Sequence, residues 1–349
     1  MIPVFDGHND FLQRMVEAGP ARDGLWLQGD GSGDIDLPRL RAGGMAGGFF
    51  ALWVPSGADP DAAVHALMKE NPPFVLPLPP EVALADALPH AFALAGQLMA
   101  MERTGTLTIC KSVADIRAAM AAGRIAAILH MEGAEPIADM DALHVWHAMG
   151  LRSLGPVWSR PTRYGHGVPF AFPSSPDTGP GLTPEGKALV RECNQLRIML
   201  DLSHLNEKGF DDVAALSDAP LVASHSCAHA VSPSSRNLTD RQLAVIAESG
   251  GLVGLNYAIG FLHPEGSRAP MHGFDIMLRH LDHLLAHLGE DGVALGSDFD
   301  GAEMPADLTN AGALQSLVKA MLEHGYGREL TEKIAWKNWL GLLERTWGA

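Results

Sequence analysis

The sequence predicts an α/β fold, a distorted (β/α)8 barrel of TIM-like type, formed as a single domain over residues 1–349. Three observations predict it. Eight short, nearly all-apolar runs alternate with longer helix-patterned stretches, the order expected of a parallel barrel. The runs lack polar alternation, as strands covered on both faces do. Acidic and histidine residues gather just beyond the C-terminal ends of several runs.

The first run, residues 4–7, breaks at once into the polar stretch VFDGHND. The others span 48–54, 125–130, 151–156, 198–202, 221–224, 252–256 and 293–296. Between them, helical patterns cover 80–103, 113–122, 141–149, 183–196, 207–217, 239–249 and 274–288. Thr183-Pro184-Glu185 places proline at a first helical position, and Thr239 reads as an N-cap. The final stretch, 335–349, reads as an amphipathic helix packed on the barrel. No G-x-G-x-x-G follows the first run, which disfavours a doubly wound nucleotide-binding sheet.

Two segments exceed a minimal barrel. Residues 55–80 are proline-rich and read as an ordered loop leading into a long helix. Residues 157–182 are rich in Pro, Gly and Ser yet carry Trp, Tyr, Phe and His. So long a connection is usually functional, and it reads as a lid over the active face.

Composition narrows the function. The net charge is −16 with no Lys/Arg run, so nucleic acid and anionic membrane are poor partners. Cys110, Cys193 and Cys227 are odd in number and lack a C-x-x-C, which argues against a disulfide framework and for a reducing compartment. Neither a secretory signal nor a long apolar span is apparent, so a cytoplasmic protein is expected.

In a parallel barrel all strand C-termini share one rim. Five runs deliver polar residues there: His8 and Asp10, then Glu132, then Asp201 and His204, then His225, then Asp298 and Asp300. Taken singly, each histidine is more often a hydrogen-bonded loop residue than a ligand. Asp201 alone reads as a loop brace and Asp300 as a turn cap. Together they suit metal chemistry: His8 and Asp10, two apart on an extended chain, point the same way and grip one cation. His204 and His225 grip a second, and Glu132, with two oxygens, bridges the pair. Imidazole and carboxylate donors suit zinc, and two such ions would share and activate a water for hydrolysis. Asp298 nearly neutralises the site and can take that water's proton. Asp6 reads as an orienting residue behind the ligands. His144, His147, His280, His283 and His287 lie in helical patterns and read as packing or surface residues.

The motifs DGHND, HMEG, LDLSH, SHS with SSRN eleven residues on, and GSDFDG come in one order across nearly the whole chain. That pattern resembles the membrane dipeptidase (renal dipeptidase) family of the amidohydrolase superfamily. The resemblance implies a distorted barrel, two Zn2+ ions, small dipeptide substrates and a homodimer. It implies His8 and Asp10 on one zinc, Glu132 bridging, His204 and His225 on the other, and Asp298 as the acid/base. It also implies Arg236 as receiver of the substrate's C-terminal carboxylate, a task that suits a guanidinium fork, and tolerance of L or D residues there.

The sequence departs from the family at one position. Where better-studied members carry a carbonyl-polarising histidine, this chain has Trp158, read as a stacking wall, with His166 of the lid as the alternative polarising group. The competing activity is that of another binuclear amidohydrolase, acting on a cyclic amide, lactone or N-acyl amino acid. Many such sites use a carbamylated lysine from a strand end, and no central run here ends in lysine. A barrel that binds metal without catalysis is the non-enzymatic reading.

Overall fold

The computed structural model describes residues 1–56 and 72–348; most of the predicted loop at 55–80 therefore lies outside the described residues. All eight predicted runs contain strand. We number them β1 (Val4–Asn9), β2 (Met45–Trp53), β3 (Ile125–Glu132), β4 (Leu151–Gly155), β5 (Met199–Leu200), β6 (Val222–Ser226), β7 (Leu252–Leu255) and β8 (Val293–Leu295). The strands β1 to β5 pair in parallel in that order, and β6 to β8 form a second parallel sheet. Single parallel bridges, Asp201 to Val222 and Asn9 to Phe299, link the two sheets at their seams. The result is a curled parallel sheet in two sections rather than eight continuous ladders.

One cause of the distortion is visible at β3. Its upper half, Leu129–Glu132, pairs with β4, while its lower half pairs with a peripheral strand, Leu107–Ile109, that the list of eight runs omits. The sequence reading also leaves out the helices Phe11–Ala18, Leu37–Gly43 and Leu314–His324. Expected N-caps are present: Thr183 accepts from the Gly186 amide, and Thr239 forms a capping box with Gln242.

The core has two layers. A large one lies between strands and outer helices, with Leu94, Leu189, Ile246 and Leu281 among its members. A smaller one closes the sheet's lower end. There Phe5, Phe49, Ile128, Met199, Val222, Leu252 and Ala294 meet Trp339, Leu340 and Leu343 from the terminal helix Asn338–Trp347. Trp339 is fully buried, and its indole N–H donates to the Leu295 carbonyl at 2.9 Å. The predicted amphipathic end of the chain thus forms the floor of the sheet.

Residues 157–182 are folded rather than open. Pro161–Thr162 pairs antiparallel with Gly165–His166, and Ala171–Phe172 with Phe74–Val75. The segment is tied to the C-terminal ends of the strands by Val168, whose amide donates to the His204 carbonyl at 2.9 Å. Among the described residues no helix is long and apolar enough to cross a membrane.

Candidate metal centre

Phe5 belongs to the floor, and a Cβ on Gly7 would meet the Trp339 ring at 2.6 Å, so odd positions of β1 face inward. Simple alternation would then send His8 outward. The register against β2 slips between Asp6 and Asn9, three residues opposing two, and the extra residue turns His8 inward. The strand β6 slips in the same way between Ala223 and Ser226, around His225. The bent backbone needs room near the axis: Cβ atoms on Gly7, Gly254 and Gly296 would lie 2.3, 2.0 and 2.0 Å from the Ser224 carbonyl oxygen. Only glycine permits that approach. The His8–Asp10 pair therefore converges through a bulge and the turn into helix Phe11–Ala18, not through extended alternation.

The rim brings together all five predicted ligands, each buried. His8 Nε2 stands 3.4 Å from Asp10 Oδ2 and 3.5 Å from Glu132 Oε2. Glu132 Oε1 stands 3.1 Å from His204 Nε2 and 3.4 Å from His225 Nε2. His8, Asp10 and Glu132 form one group able to hold a metal ion, and Glu132, His204 and His225 form another.

The donors fit cations. Among the described residues, both ring nitrogens of His8 and Oδ1 of Asp10 are buried without a hydrogen-bond partner, whereas buried polar atoms are ordinarily paired. Burial draws the His8 imidazole toward neutrality, but the Glu132 and Asp10 carboxylates overrule it and push it up to about 10. Burial, with the nearby Asp10 and Asp298 charges, lifts the Glu132 carboxyl well above its ordinary value. Burial, with His8 and Arg236 adding like charge, holds His204 and His225 well below theirs.

A second ring of groups fixes the imidazoles. Ser224 Oγ lies against Asp201 Oδ2 and 2.7 Å from His225 Nδ1. A carboxylate only accepts, so the serine proton goes to Asp201 and its oxygen accepts from His225 Nδ1–H. His225 Nε2 is left with its lone pair facing Glu132. Ser159 Oγ stands 2.7 Å from His204 Nδ1 and anchors that ring. Asp201 also accepts from the Ser203 and Ser224 amides, so it braces the loop as expected. Asp6 accepts from the amide and hydroxyl of Ser297 and from Asn9, and burial raises its carboxyl to about 6.

Asp298 follows β8 in a left-handed backbone, φ +64°, with its amide donating to the His8 carbonyl at 3.0 Å and its Oδ2 accepting from Asn256 at 2.9 Å. Burial raises its carboxyl above the ordinary value, with the His8 charge opposing that rise. Asp300 turns away, accepting from the Asp34 and Ile35 amides and from Arg14. Arg236 is buried. Its Nη atoms donate to Ser226 Oγ and the His225 carbonyl, and Nε has no partner among the described residues. Trp158 stands with its ring 5.8 Å from that of His204 and 5.7 Å from that of Phe170. His166 instead places Nδ1 3.3 Å from the Gly181 carbonyl, within the folded segment.

Several residues at the site carry no sequence signal. Ser159, Ser224 and Asn256 are common polar residues whose partners lie far along the chain. Arg160 is fully buried and anchors the folded segment, donating to the Val54 carbonyl at 2.6 Å and pairing with Glu135. The SHS triplet was the only available hint of Ser224.

Residues 1–347 match the family model described as membrane dipeptidase, peptidase family M19. A metallo peptidase from Rhodobacter sphaeroides, solved with a phosphinate mimic of the dipeptide L-Ala-D-Ala, is 59% identical, with 99% of each chain covered and a TM-score of 0.97. An uncharacterized protein in the pqqA 5' region of Klebsiella pneumoniae is 42% identical over 75% of this chain and 97% of its own length. An amidohydrolase from Pseudomonas aeruginosa, 19% identical with a TM-score of 0.73 over 99% of this chain and 97% of its own, shares the fold.

Proposed function

The chain belongs to the membrane dipeptidase family, peptidase family M19, and on that footing we propose that it is a zinc-dependent dipeptidase on a distorted (β/α)8 barrel. The observation that carries this reading is the division of Glu132, whose Oε1 faces His204 and His225 while Oε2 faces His8. A carboxylate shared in this way belongs between two cations. His8 and Asp10 would hold the first, and His204 and His225 the second. Two zinc ions so held supply Lewis acidity and lower the pKa of a water enough for attack at neutral pH.

The chain's own groups do the remaining work. Arg236 has five N–H donors, of which two are engaged; its buried, unpartnered Nε is available to the substrate's C-terminal carboxylate. Asp298, oriented by Asn256, takes the proton of the attacking water at a carboxylate oxygen and returns it to the departing amine. Trp158 and Phe170 wall the cleft beside His204 and exclude water from the scissile amide. His166 is turned to Gly181 and is not assigned to the carbonyl, which bound metal would be left to polarise. The L-Ala-D-Ala mimic held by the Rhodobacter peptidase supports a D residue at the C-terminal position.

The test is a panel of L,L- and L,D-dipeptides, N-acyl amino acids and lactones, assayed with zinc-loaded and chelator-stripped protein. Zinc-dependent cleavage of dipeptides, with the D-terminal member among them, is expected. Turnover of N-acyl amino acids or lactones alone would hand the site to the wider amidohydrolase chemistry.

A further inference from the structure

We propose that Asp240, His283 and His287 form a second binding site for one divalent transition-metal ion, on the outer surface and separate from the rim. His283 and His287 lie four apart on helix Asp275–Leu288 and so share a face. Their rings stack with centroids 4.3 Å apart. The neighbouring helix Asp240–Glu248 supplies the third donor from its first residue, held in place by the Thr239–Gln242 capping box. Asp240 Oδ1 is 2.7 Å from His283 Nε2, and Oδ2 is 3.8 Å from His287 Nε2. One donor atom from each residue lies within 4.8 Å of the other two. That span admits an ion bonded at about 2.0–2.2 Å to each after small side-chain rotations.

The geometry favours a ligand. His287 Nδ1 is 2.9 Å from the His283 carbonyl, which can only accept, so Nδ1 carries a hydrogen and Nε2 is the ring nitrogen turned toward Asp240. An ion pair between Asp240 and His283 accounts for the 2.7 Å contact alone. It does not account for a second imidazole stacked on the first with its Nε2 aimed at the other carboxylate oxygen. One cation among the three atoms accounts for both. Two imidazoles and one carboxylate, open to solvent on the remaining side, select zinc, nickel or copper over magnesium or calcium.

The ion would staple together the two helices that precede β7 and β8, the strands leading to Asn256 and Asp298. It would therefore stabilise the fold without entering the cleft.

The experiment compares wild type with His283→Gln/His287→Gln, both saturated with zinc and examined by equilibrium dialysis and metal analysis. Wild type should hold one zinc per chain more than the double variant, at equal dipeptide turnover. Added Cu2+ should give wild type an electron paramagnetic resonance signal with coupling to two nitrogens that the double variant lacks. Asp240→Asn should weaken the extra site, and excess zinc should raise the Tm of wild type more than that of the double variant. Identical zinc isotherms for wild type and the double variant would overturn the site. The readout is the difference between chains, so it stands apart from whether the rim binds one ion or two.

Discussion

The floor and the rim of the sheet are built from the same strands, a few residues apart. Phe5 and His8 share β1, Ile128 and Glu132 share β3, and Val222 and His225 share β6. The floor is filled by aromatic and aliphatic side chains around Trp339, a non-directional packing that any complementary set of shapes satisfies. The rim must instead aim individual lone pairs at common points. It does so with register slips at His8 and His225, left-handed backbone at His204 and Asp298, and hydroxyls that anchor the rings of His204 and His225. Such features cost stability locally and persist because the surrounding structure holds them. The division of labour is that the floor stabilises and the rim spends part of that stability on geometry.

The comparison can be broken from either end. Asp298→Asn should lower kcat by about 10²–10⁴-fold while zinc content and Tm stay near wild type. Turnover within a fewfold of wild type would remove Asp298 from the acid/base role. At the floor, Trp339→Ala should cost about 3–5 kcal/mol in denaturant unfolding, and the protein that remains folded should keep its KM and zinc. A large loss of zinc affinity there would mean that floor and rim are not separable.

Gly254→Ala lies between the two regions, and its Cβ would stand 2.0 Å from the Ser224 carbonyl. It should cost about 1–3 kcal/mol by overpacking and also weaken zinc binding, because the displaced backbone carries His225. Calorimetry of folding and of zinc binding on the same sample checks both. Ser224→Ala should weaken zinc binding by about 10–100-fold with little change in Tm; unchanged affinity would show that the tautomer of His225 needs no such partner.

The smallest effect is a proton. With His8 at about 10 in the metal-free protein, its ring is charged at neutral pH and must lose that proton to bind a cation. Zinc loading should therefore release protons, and affinity should rise with pH up to about 10. Binding heats that do not vary with buffer ionisation enthalpy would contradict this.

Much of this was legible in the sequence. The eight runs, the five candidate ligands, Asp298 and the amphipathic end rest on local signals: apolar runs, polar breaks at their ends and helical spacing. Arg236 came from the family motif and lies buried beside His225. The segment 157–182 was legible as an insertion, but not its short antiparallel pairings. Trp158 against His204, and His166 against Gly181, could not be read at all, since one residue in that segment looks much like the next until it folds.

Sequence alone determined which side chains reach the rim and in what order, because strand ends and residue identities are local properties of the chain. Tertiary structure alone decided how they meet. The slip that turns His8 inward is a relation between β1 and β2, and Ser224 orients His225 only because Asp201 arrives from another strand. The pairing of Asp240 with His283 and His287 likewise needs two helices side by side. Those facts are contacts between distant segments, and contacts of that kind exist only once the chain has closed on itself.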